Sequence, residues 1–225
     1  MEGRRRAALH RDDGNDALRR APHPLILVAI VKPAKAAIDP SHSPGDSDAM
    51  ITTGIAVGRP GPAEIAPYYF TYIDKVPGDD VMGVLAAQLD EVPAFLSGIS
   101  EERSLYRYAP DKWSLREVLG HVNDTERTML FRAFWFARGF DTALPSFDEK
   151  TAAAASGAHA VPWARHVEEF RAVRLASRAF FRNLPAEAWS RSGIASGNPF
   201  SVRGLAYVVA GHAAHHVGVI REKYS

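Results

Sequence analysis

The chain has 225 residues, 46% hydrophobic and 24% charged; these are ordinary globular proportions, which exclude wholesale disorder, a fibrous repeat and a disulfide-stapled miniprotein. Lysine and arginine number 27 against 26 for aspartate and glutamate, a net charge of +1, so no overall field exists to hold a polyanion and no nucleic-acid partner is expected. With no cysteine, any metal must be held by His, Asp or Glu, which makes the nine histidines the residues to follow.

Residues 1–49 carry Arg4-Arg5-Arg6, Arg19-Arg20 and scattered Asp and Pro with no sustained period, and they read as a disordered tail. The apolar run Leu25 to Val31 is far short of the about 20 residues that cross a bilayer, so no membrane association is expected. Mixed-charge residues precede that run where a secretory signal has a short basic segment, and Lys35 interrupts the nearest Ala-x-Ala candidate; the chain is therefore expected in the cytoplasm. Met50 opens Ile51-Thr52-Thr53-Gly54, and we expect the biological start there. Residues 50–77 read as an extended lead-in, with short alternating pieces near Tyr68 to Tyr72.

From 78 to 225 the pattern is helical. Val81, Leu85, Leu89, Val92 and Leu96 recur every three or four residues behind Asp79 or Asp80 as a cap, and Pro93 is expected to kink or shorten this first helix. Ser114-Leu115-Arg116-Glu117 is a capping box that opens a second helix; it carries Val118, Val122, Thr125, Met129 and Phe136 on one face and stops at Gly139. A third helix begins near Pro162, carries Val167, Phe170, Val173, Phe181 and Leu184, and ends before Pro185. The fourth runs from Ser201 to the end, and Gly193 to Pro199 before it reads as turn chemistry. The architecture is all-α, a four-helix bundle.

His212 and His216 are four apart on the last helix, so both leave one face with about 40° between them, the spacing with which two imidazoles bind one metal. Leu205, Val208, Val209, Val219 and Ile220 share that phase, which turns the pair inward, while His215 falls at the flank. Taken alone, the pair could be ordinary core or surface histidines satisfied by carbonyls. His121, however, lies on the apolar stripe of the second helix, and three imidazoles meeting in one core are most economically explained by a shared cation. Three nitrogen ligands leave positions open for water or substrate, as catalytic rather than structural sites do.

Asp124 either orients a ligand imidazole or is a solvated helix carboxylate; Glu126 reads as solvated. Arg174 interrupts the stripe of the third helix and either anchors an anionic substrate group near the metal or, the preferred reading, reaches the surface. His10, His23 and His42 lie in the tail, His159 in a loop, and His166 on a face read as exposed, so none is given a role. The aromatics Trp113, Phe131, Phe134, Trp135, Phe136, Trp163 and Trp189 read as core or interface material.

Four blocks in order resemble the DinB/YfiT-like superfamily: Tyr106 to Arg127, Phe140 to Pro145, Ala195 to Pro199, and the closing Gly211-His212-Ala213-Ala214-His215-His216 to Tyr224. The resemblance spans about Pro67 to Tyr224. It implies a four-helix bundle with an unusual order of connections and a divalent metal held by His121, His212 and His216. Relatives of this kind include thiol-dependent S-transferases and a maleylpyruvate isomerase, which use low-molecular-weight thiols.

The leading expectation is a metal-dependent, thiol-transferring enzyme acting on a small molecule. Alternatives are a hydrolase with Asp124 or His215 as base, a non-catalytic metal- or ligand-binding stress-response protein, and a structural helical dimer. Zn, Ni, Fe and Mn all accept three imidazoles. Relatives are often dimers, so a homodimer is a further expectation.

Overall fold

Four long helices carry the fold in a computed structural model that describes residues 57–224. The expected tail and the expected start at Met50 lie outside those residues. A 3-10 turn over Pro67–Tyr69 leads into α1 (Phe70–Ile73), a single turn. The long helices are α2 (Val81–Ser97), α3 (Leu115–Ala137), α5 (Trp163–Arg182) and α6 (Val202–Lys223), with the short α4 (Glu149–Ala155) between α3 and α5. No helix among the described residues is long and apolar enough to cross a membrane.

The starts are written locally. Asp80 accepts from the Gly83 N–H at 2.8 Å, and Ser201 accepts from the Gly204 N–H at 3.0 Å. At α3 the Ser114 N–H donates to Glu117 at 2.7 Å while the Ser114 hydroxyl oxygen accepts from the Glu117 N–H. Each such cap satisfies an amide that the first turn leaves without a helical partner. The start of α5 is capped from elsewhere, since the Trp163 N–H donates to Glu101 at 2.8 Å. Pro93 does not shorten α2, which continues through it to Ser97; a proline removes a single helical donor, and the buried flanking turns hold the rest.

Two expectations are corrected. The lead-in is not extended throughout: Pro67 occupies a first-turn position, where its fixed φ favours a helical start. Tyr68 and Tyr72 then meet edge to face at 5.9 Å, a pair four apart that a helix brings together. The Gly193–Pro199 segment is more than a turn. It belongs to a two-stranded antiparallel hairpin, β1 (Ser192–Ala195) and β2 (Asn198–Ser201). Its turn residues Ser196 and Gly197 have φ of 52° and 72°, the left-handed pair that suits the twist of tightly linked strands. Strands of four residues are too short for an alternating pattern to declare itself.

All the stripe residues anticipated on α2, α3 and α5 are buried. α3 packs against α5 and α6, and α2 packs against α5. One apolar cluster centres on Phe136, Phe181, Phe200 and Tyr207, and the other on Leu115, Leu119, Phe170 and Ile220. Each fully buried side chain of this size contributes roughly 1.5–3 kcal/mol. His212 lies in α6 between Ala210, in the first cluster, and Ala213, in the second.

Candidate metal centre

α3 and α6 set three imidazoles against one another. His121 is 7% exposed and His212 5% exposed, and His216 is partly buried. The Nε2 atoms of His121 and His212 are 3.1 Å apart, and those of His216 and His212 are also 3.1 Å apart. All three ligand atoms lie within 4.8 Å of one another. The Thr125 hydroxyl, one turn along α3, stands 3.4 Å from His121 Nδ1. Trp113 tilts against the His121 ring at 4.9 Å, and Tyr72 lies edge-on to His212 at 5.2 Å.

Electrostatics keep these rings neutral. Burial lowers His121 to about 4, with a smaller opposing effect from Asp124. Burial lowers His216 to about 3, reinforced by the neighbouring His121 and His215. His212 is pushed well below the usual range by burial and then by its three histidine neighbours. Neutral imidazole is the form that offers a lone pair to a cation.

The donor set fits a metal ion. An imidazole Nε2 carries either one proton or one lone pair, so His212 cannot hydrogen-bond to both His121 and His216 at once. A cation shared by three lone pairs removes that frustration. Nitrogens held about 2.0–2.1 Å from one tetrahedral zinc stand about 3.3 Å apart, close to the 3.1 Å separations found here.

The other candidate residues fall elsewhere. Asp124 is partly exposed and bonded to Arg127 at 3.3 Å, so among the described residues the side chain that reaches the back of His121 is Thr125 rather than Asp124. His215 is half buried, with its ring against His216 at 5.0 Å and against Tyr72 at 5.5 Å, outside the converging set. Arg174 does not reach the surface. It is fully buried and forms a two-pronged pair with Glu126, both contacts at 2.9 Å, while also donating to Gln88. Gln88 in turn donates to the Ala210 carbonyl at 2.9 Å. Glu126, read as solvated, is 3% exposed for the same reason: a buried guanidinium requires a counterion. His166, read as exposed, is also buried, with Nε2 3.0 Å from the Ala158 carbonyl oxygen.

Openings among the described residues reach the histidines. A pocket of about 90 Å³ is lined by His121, His212, Thr125, Tyr72, Arg132 and Ser196 among others. A wider cleft of about 670 Å³ on the side of His215 and His216 is lined by Trp113, Tyr224, Lys112 and Lys150. Arg132 was open to sequence reasoning, because it follows His121 by eleven residues, about three turns, and shares its face of α3. Ser196 and Tyr72 carried no comparable signal.

A sequence profile of the DinB superfamily matches residues 85–220. This chain belongs to the DinB superfamily. As a DinB-superfamily bundle it is similar to a solved structure of YfiT from Bacillus subtilis, described as a "probable metal-dependent hydrolase with an unusual four-helix bundle topology". The two are 17% identical, with a TM-score of 0.56, over 65% of this chain and 87% of that one. At that identity the likeness shows the shared fold. No curated protein matches the chain.

Proposed function

We propose that the protein is a divalent-metal-dependent enzyme whose metal is held by His121, His212 and His216, and that it transfers a low-molecular-weight thiol to a small electrophile. The observation that carries the reading is the meeting of three neutral Nε2 atoms, with 3.1 Å separations, at the edge of a pocket. A divalent ion bound there would lower the pKa of a thiol or water that joins it, so that the nucleophile is available at neutral pH.

The chain's own groups complete the site. Burial of His121, His212 and His216 keeps their lone pairs free of protons. Burial raises the pKa of the Tyr72 phenol, so it stays protonated and can donate a hydrogen bond to a substrate atom in the pocket. The sole carboxylate among the residues lining that pocket is the exposed Glu149. A thiol, with an ordinary pKa of about 8.5, needs far less help from a base than water does, and this favours the thiol.

A second reading, hydrolysis, draws support from the description of YfiT. Metal content of protein purified without chelator, measured by plasma mass spectrometry, tests the common part. About one ion per chain is expected for the wild type, with loss in His121→Ala and His216→Ala. An empty wild type after reconstitution with zinc, nickel and manganese would sink both readings. Turnover of an electrophile panel with and without added thiol separates them, since only transfer requires the thiol.

A further inference from the structure

We infer that Arg132 anchors a carboxylate of the substrate in the pocket that opens on His121 and His212. The inference rests on the reading above for what the pocket serves, and it names the chemical class of substrate.

Among the described residues three arginines are buried: Arg116, Arg132 and Arg174. Two of them have a counterion, Glu101 for Arg116 and Glu126 for Arg174. Among the described residues no carboxylate lies within ion-pair distance of Arg132, which is 3% exposed. Its partners are neutral: the Ser196 hydroxyl at 2.8 Å, the Pro145 carbonyl at 3.3 Å, the Met129 sulfur at 3.9 Å and the phenol of Tyr69, which burial keeps protonated. The hydroxyl and the carbonyl both take Nη2, and none of these partners carries the negative charge that would balance the guanidinium. The Phe200 ring, 5.6 Å away, gives a partial cation–π contact but no neutralisation.

A guanidinium taken out of water without an anion is costly, and the two structural arginines show how this chain otherwise meets that cost. Arg132 differs from them in one further respect, since it alone of the three lines a pocket shared with the histidines. Burial works against its charge and lowers its pKa, a tendency that an incoming anion would reverse.

The chemistry selects a monoanion. One guanidinium balances one negative charge, and Glu149 on the same pocket disfavours a second. A carboxylate matches the planar fork of donors. On a straight helix the Cα atoms of His121 and Arg132 are about 16 Å apart, and the long arginine side chain leans back toward the helix start and shortens that gap. The substrate is therefore a small molecule whose carboxylate lies several bonds from its reacting atom.

Fluoroacetate and its uncharged counterpart fluoroacetamide serve as probes, with binding followed by fluorine NMR line broadening. Each is titrated against the wild type, Arg132→Lys and Arg132→Gln, in both chelator-treated and zinc-supplemented protein, with metal content measured on every sample. Chelator-treated wild type is expected to prefer fluoroacetate by about tenfold or more, the worth of one charged hydrogen bond. Arg132→Lys keeps part of that preference and Arg132→Gln loses it. Equal binding of the two probes by the wild type, or a preference that survives Arg132→Gln, overturns the inference. The wild-type comparison needs no variant, so poor folding of Arg132→Gln does not blunt the test. A preference in protein that takes up no metal would overturn the enzyme reading while leaving the carboxylate anchor standing. Metal uptake without a preference would do the reverse.

Discussion

Gly211 of α6 lies directly against the backbone of Tyr72: a β-carbon at position 211 would stand 2.1 Å from the Tyr72 carbonyl oxygen. That approach seats α1 on α6 and lays the Tyr72 ring over His212 and His215. Gly211→Ala is expected to destabilise the protein by about 1–3 kcal/mol, because neither backbone can yield freely. Thermal melts would register the loss, and metal content should fall with it as Tyr72 is displaced from His212. An unchanged melting temperature would show that the helices slide apart at no cost.

A bound metal should stabilise the folded chain by mass action. With zinc at about one hundred times its dissociation constant the gain is about 2.7 kcal/mol, seen as a melting temperature that climbs with zinc concentration. His212→Ala removes the nitrogen common to both 3.1 Å contacts, so its melting temperature should not respond to zinc. A zinc response in that variant equal to the wild type's would place the ion elsewhere.

The metal-free protein should lose stability in mild acid. The folded-state values of His121 and His216, about 4 and about 3, lie below the ordinary 6.5, and His212 is lowered as well. Below pH 6.5 the unfolded chain takes up protons that the folded chain refuses, so stability is full above 6.5 and falls as pH drops toward 3 to 4. Urea denaturation of chelator-treated protein at pH 7 and pH 5 measures this directly. Replacing His216 with Gln should reduce the difference between the two pH values.

The pair Arg174 and Glu126 is buried on both sides. Glu126→Ala leaves a fully enclosed guanidinium without its counterion, and the expected cost is about 3–5 kcal/mol. Removing both charges together, in Arg174→Leu with Glu126→Leu, should recover much of that loss, because the expense lies in the unpaired charge. Denaturant midpoints of the single and double variants decide it; a double variant as unstable as the single would mean that the pair itself is stabilising.

Helix positions were legible because their causes are local. The Asp80, Ser114 and Ser201 caps act over three residues, and the apolar stripes act over one or two turns. The inward phase of His121, His212 and His216 was legible for the same reason. The hairpin was not, since β1 and β2 are four residues each, and the close approach of Phe136 to Gly193, where a β-carbon would come within 2.2 Å of the ring, joins residues far apart in the chain.

Charged residues on helix faces were misread most. Arg174, Glu126 and His166 looked solvated because a stripe read from one helix says nothing of the neighbour that covers it. By itself the sequence determined four helices, the caps of α2, α3 and α6 and the two-histidine spacing on α6, all consequences of bonds and contacts within a few residues. Tertiary structure alone decided that His121 meets His212 across 91 positions, that Arg174 finds Glu126, and that Arg132 is buried with no anion among the described residues. Such contacts depend on how α3, α5 and α6 pack, and the energy of a charge depends on what that packing brings beside it.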